Sequence, residues 1–141
     1  MKEETRYVAY DGAAFVYKED AEYHEIDRRL YGRRYCLARI VGTYMSQVSE
    51  IRGRINSIET RLVSLNEKLR TPGVYETTDH IKLLADRMNY RADLRMEVLN
   101  LKNTKNELVK YNKLLSKTDN DIKRYMMAHD EIVASRQNET K

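Results

Sequence analysis

Tryptophan is absent from this chain; proline, cysteine and phenylalanine occur once each, and glycine five times in 141 residues. So few turn-formers exclude a sandwich or barrel of many short strands and leave long helices as the expectation. The single Cys36 has no partner for an internal disulfide, which suits a reducing compartment, the cytoplasm. No apolar run approaches the roughly 20 residues that span a bilayer, and the N-terminus lacks an apolar signal core, so no membrane association is expected. Gly-rich phosphate loops, Cys-x-x-Cys pairs, His-Glu-x-x-His and Gly-x-Ser-x-Gly are all missing. The expectation is therefore a non-enzymatic protein with no catalytic residue, metal site or cofactor.

What is present is charge and periodicity. Asp, Glu, Lys and Arg make up 34% of the chain, with a net charge of +4. Residues 1–27 hold eight acids against three bases, and residues 28–39 hold five Arg and no acid. Val41, Tyr44, Val48, Ile51, Ile55, Ile58, Leu62, Leu65 and Leu69 recur at alternating steps of three and four. That spacing keeps one apolar stripe facing a partner helix, as knobs-into-holes packing requires.

The spacing predicts a first helix over 19–70, broken at Thr71-Pro72-Gly73 because Pro disfavours helix in the residue before it and Gly supplies a reversal. A turn over 71–77 leads to a second helix over 78–135, with Thr77, Thr78 and Asp79 as candidate N-caps. Residues 136–141 have nothing to pack on in this reading and are expected to fray. Before the helices, Asp11-Gly12 lies between two short aromatic and β-branched runs over 6–17, the pattern of a hairpin closed by a tight type I′ turn. The fold class is thus mainly α: a short N-terminal β-hairpin followed by a long antiparallel helical hairpin, a coiled coil, in a single domain.

With the reversal near Gly73, Ile58 is expected to face Tyr90, Ile51 to face Val98 and Leu37 to face Tyr111, give or take a turn. The partner seam on the second helix then runs through Ile81, Leu84, Met88, Val98, Leu101, Leu108, Tyr111, Leu115, Ile122, Tyr125 and Ile132. Thr104 falls opposite Tyr44 as a polar layer or a packing gap.

Four groups of residues are candidates for function. Leu30, Tyr31, Tyr35, Leu37, Ile40 and Tyr44 widen the apolar face of the first helix, and covering it calls for a homo-oligomer or another partner. Val74 and Tyr75 sit at the tip of the hairpin, where an aromatic side chain can enter a partner's cleft or fold back on Leu69 or Ile81. Arg95, Lys102, Lys105, Lys110, Lys113 and Lys117 fall within an arc of about 140° over roughly 33 Å of helix. Such a stripe either tracks a phosphate backbone or is the solvated face that every coiled coil has. His24 and His129 read as ordinary surface histidines near the hairpin base, and Cys36 as a small buried hydrophobe. The five Arg of 28–39 spread round the helix and are expected to pair with the acidic helix start or with Asp119, Asp121 and Asp130.

The opening Tyr7-Val8-Ala9-Tyr10-Asp11-Gly12, with Phe15 and an acidic, Ala- and Tyr-containing helix start, resembles the N-terminal module of small uncharacterised bacteriophage proteins. The likeness covers residues 6–30. It implies a phage accessory protein acting on a host or phage macromolecule. The leading expectation is a protein-binding module that assembles through its Tyr-rich base and engages through the coiled-coil arm. The alternatives are a nucleic-acid binder using the basic stripe and a minor structural component of a phage particle.

Overall fold

The computed structural model describes residues 6–73 and 79–139. Two short strands, β1 (Tyr7–Val8) and β2 (Ala14–Phe15), precede two long helices, α1 (Lys18–Arg70) and α2 (Asp79–Glu139). The strands pair antiparallel and the helices pack against each other, which is the mainly α hairpin architecture expected. The contacts gather into two compact units, residues up to Val41 with those from Tyr111 onward, and Gly42–Lys110.

α1 ends where expected. Thr71 Oγ1 donates to the Glu67 carbonyl at 3.1 Å and Thr71 N to the Lys68 carbonyl at 3.2 Å, taking up carbonyls that the ending helix leaves open. Gly73 then adopts φ 89°, a conformation any Cβ would strain. The tip residues Val74 and Tyr75 and the candidate caps Thr77 and Thr78 lie outside the described residues. α2 runs to Glu139 and so takes in residues 136–139, which were expected to fray, because Arg136 has partners on α1.

The β-hairpin closes differently from the expected type I′ turn. Ala9 N donates to the Ala13 carbonyl at 2.8 Å and Gly12 N to the Ala9 carbonyl at 3.0 Å, so the loop is three residues, Tyr10 to Gly12. Only Gly12 has positive φ, 88°, which makes this a type I turn followed by a left-handed glycine. Asp11 keeps an ordinary φ, and its Oδ1 accepts from Ala13 N at 3.2 Å.

In the unit of residues 42–110 every α1 seam residue from Tyr44 to Leu69 is buried or half-buried, with Val48, Ile51, Leu65 and Leu69 most enclosed. The facing stripe of α2 is only partly the one expected. Ile81, Leu84, Met88 and Val98 are exposed, Ile81 by 74%. Leu83, Arg87, Tyr90, Leu94 and Glu97 take their place and run on through Leu101, Thr104 and Leu108, which were expected there, all half-buried at steps of three and four. Polar side chains occupy three of these eight positions, so a search for apolar spacing slides round to the outer face. Two of them meet polar partners on α1: Arg54 Nε donates to Glu97 Oε1 at 3.1 Å, and Arg87 Nη1 to Asn66 Oδ1 at 3.3 Å. The Arg61 guanidinium lies 5.7 Å from the Tyr90 ring centroid. These pairs shift α2 by about one turn relative to the expected facing residues. Thr104 accordingly borders a shallow cleft with Gln47 and Ile51.

In the other unit the same α1 seam continues toward the N-terminus through Val41, Leu37, Arg34 and Leu30, but its buried members are small. Ala9, Ala21, Val41 and Thr118 are the enclosed residues here, Thr118 to 3% exposure. The Thr118 hydroxyl donates to the Leu114 carbonyl within its own helix at 2.9 Å. Arg34 Nε meets Asp119 Oδ1 at 2.6 Å, one of the pairings expected for the Arg cluster.

Candidate interaction surfaces

In the unit formed by residues up to Val41 and from Tyr111, a group of ionisable side chains near the start of α1 is tied up in structure. Asp20, in the first turn of α1, accepts from His129 Nε2 at 2.7 Å and from Arg136 Nη1 at 3.0 Å through each carboxylate oxygen. Arg136 Nη2 reaches Glu19 Oε2 at 3.1 Å, and its guanidinium lies 3.7 Å from the Tyr17 ring centroid. Tyr23 stacks on His129 with ring centroids 4.1 Å apart. Burial pushes the Asp20 carboxyl upward, but hydrogen bonds from His129 and Arg136 outweigh it and hold the group below its ordinary value. Burial likewise works against the charged Arg136, and its bonds to Asp20 and Glu19 raise it above the usual guanidinium value nonetheless. Burial, then the charges of Asp27 and Asp130, hold the Tyr23 phenol high.

A second cluster ties the β-hairpin to α1. His24 Nε2 lies 2.7 Å from Asp11 Oδ2, and Arg28 Nε 3.6 Å from the same oxygen. The hydrogen bonds from His24 and Ala13 N lower the Asp11 carboxyl. Tyr10 N donates to Glu25 Oε1 at 2.9 Å, and Arg29 lies over the Tyr10 ring at 5.1 Å. Both histidines that sequence spacing leaves as surface residues are thus half-buried partners of carboxylates. Among the described residues no three His, Cys, Asp or Glu side chains converge as a metal site would require.

The candidate assembly face divides. Leu30, Leu37 and Ile40 are half-buried within their unit, and Tyr44 is half-buried in the other. Tyr31 and Tyr35 stay exposed, the latter by 64%, and Cys36 beside them is exposed rather than buried. The reason is rotational: Leu30, Leu37 and Tyr44 lie on the seam, whereas Tyr31 and Tyr35 stand one residue further round the helix. Val74 and Tyr75 lie outside the described residues.

All six residues of the basic stripe are exposed. Arg95, Lys102, Lys105 and Lys110 belong to the 42–110 unit, and Lys113 and Lys117 to the other. In the first group they are interspersed with exposed Met96, Val98, Leu99 and Val109. Spacing alone did not reveal that this face is half apolar, because Val98 was taken for seam.

Among the described residues no helix is long and apolar enough to cross a membrane. No protein-family model, no curated protein and no solved structure matches the chain.

Proposed function

We propose that this protein is a non-enzymatic protein-binding module, a small phage-encoded accessory protein working in the cytoplasm of a host cell. The phage origin rests on the resemblance of residues 6–30. The observation that carries the binding role is the amount of large apolar side chain left outside once the helices have packed. Tyr31, Tyr35, Met45, Ile81, Met88, Met96 and Leu99 are all exposed by half or more, though the seam residues beside them are enclosed. Clusters of this kind mark interaction surfaces. The histidines that might have served acid–base chemistry are instead engaged by Asp11 and Asp20.

In this reading Tyr31 and Tyr35 support self-assembly and residues 42–110 engage the partner. Solution molar mass of wild type against Tyr31→Ser/Tyr35→Ser tests the first role: the wild type exceeds one chain, and the variant falls toward one chain with helicity intact. A monomeric wild type would release the tyrosines for partner binding and sink self-assembly. A second reading, nucleic-acid binding, is favoured by exposure of all six stripe residues. It requires retention of DNA or RNA that falls steeply with salt and is lost on Lys105→Glu/Lys110→Glu.

A further inference from the structure

On the outer face of α2 in the 42–110 unit, Ile81, Ala85, Met88, Ala92 and Leu99 recur at steps of four and three, with Arg95 in the remaining slot. This stripe lies on the far side of the helix from Leu83, Tyr90, Leu94 and Leu101, which face α1. It is a second seam with the first one's period, and among the described residues it has no partner: Ile81 and Met88 are exposed by 74% and 65%. Large and small side chains alternate along it, which leaves room for the knobs of an incoming helix.

The charges beside the stripe are uneven. Arg91, Arg95 and Lys102 fall within about 40° of one another along one edge. None of the three makes an ion pair or hydrogen bond among the described residues, whereas Arg54 and Arg87 nearby are engaged within the unit. The opposite edge carries Lys82, Asn89, Asp93 and Asn103, with no net charge. A second copy is a poor occupant. Antiparallel pairing sets the Arg91 edge against the same edge of its mate, and parallel pairing sets it against the opposite edge, whose one acid, Asp93, is offset by Lys82. A phosphate backbone would answer the cations but leave Ile81, Met88 and Leu99 in water.

We infer that this face is a docking site for an amphipathic α-helix of another protein, one whose apolar stripe is bordered on one side by Glu or Asp. The helix lays its apolar residues against Ile81, Met88 and Leu99, and its acidic edge meets Arg91, Arg95 and Lys102. Complementary charge sets the direction in which it lies.

The inference rests on the proposed protein-binding role, and its test does not need the natural partner. A display library of helical peptides with a fixed apolar stripe and randomised flanks is selected against the full-length protein, with circular dichroism confirming that each variant keeps its helicity. Against wild type, acidic residues should outnumber basic ones at one flank by roughly tenfold. Against the Arg91→Glu/Arg95→Glu/Lys102→Glu variant the bias should invert, and against Met88→Asp enrichment should disappear. Pools without charge bias, or enrichment that survives Met88→Asp, would overturn the assignment. So would a dimer of the protein lost on Met88→Asp, which gives the face to a second copy, or oligonucleotide binding that needs Arg95 and Lys102 but not Met88. A lysate partner whose capture is indifferent to Met88→Asp would leave the protein-binding role standing and sink this site alone.

Discussion

In the unit of residues 42–110 the most enclosed side chains are Val48, Ile51, Leu65 and Leu69; in the other unit they are Ala9, Ala21, Val41 and Thr118. Burial of apolar area contributes about 25 cal/mol per Å², so an aliphatic seam holds the first unit directly. Alanine and threonine remove much less area from water. The second unit makes up the difference with directed contacts: a carboxylate bound by His129 and Arg136, a cation over an aromatic ring, and a β-hairpin fastened through Asp11. One helical pair therefore uses two kinds of cohesion in different stretches of the same two helices.

The contrast can be broken by substitution. Ile51→Ala should have the largest effect, a loss of about 2–4 kcal/mol measured by chemical denaturation, because it empties the middle of the aliphatic seam. A loss below about 1 kcal/mol would mean that the seam collapses around the gap and that aliphatic packing is not what holds this unit.

Asp20→Asn comes next, at about 1–3 kcal/mol, since it leaves Arg136 and His129 without their shared counter-charge. Acid should act in the same direction. The folded-state values of Asp20 and Asp11 are lowered, so their stabilisation is complete above the ordinary carboxylate value and is lost as pH falls through the lowered ones. Amide hydrogen exchange below about pH 4 should therefore accelerate first in residues 6–30 and 120–139. Faster exchange at 48–69 instead would reverse the comparison.

Thr118→Val should have the smallest effect, within about 0.5 kcal/mol despite its burial, because the hydroxyl only back-bonds within α2. A larger loss would show that the directed contacts extend to this hydroxyl.

The aliphatic unit was half legible in the sequence, and the other showed the place of its β-hairpin and the Arg34–Asp119 pairing but not its Asp20 cluster. Val48 to Leu69 declare their face because Val, Ile and Leu alone fill the slots. The opposing stripe hides because Arg87, Glu97 and Thr104 sit in it while Ile81, Met88 and Val98 form a more apolar line outside. Reading each polar residue against its antiparallel partner, Glu97 with Arg54 and Arg87 with Asn66, is the signal that would have restored the register. The Asp20 cluster joins residues more than 100 positions apart, beyond any local pattern. The antiparallel register does bring Glu19 and Asp20 toward Arg136, so the supposed loose tail was the missing clue. The β-hairpin was legible in position and mistaken in type, since Asp-Gly serves both a I′ turn and a type I turn with a left-handed glycine.

The separations along the chain in these contacts set an order of assembly. Within the 42–110 unit Asn66 and Arg87 close a loop of 21 residues and Arg54 and Glu97 one of 43. In the other unit Arg34 and Asp119 are 85 apart, and Asp20 and Arg136 are 116 apart. Loop closure costs more entropy as the loop lengthens, and zippering from the short loop outward shortens each later closure. Folding is therefore expected to begin with the Asn66–Arg87 contact and to proceed to the more distant pairs. The aliphatic unit, with its shorter loops, should pair its helices before His129 and Arg136 are brought to Asp20.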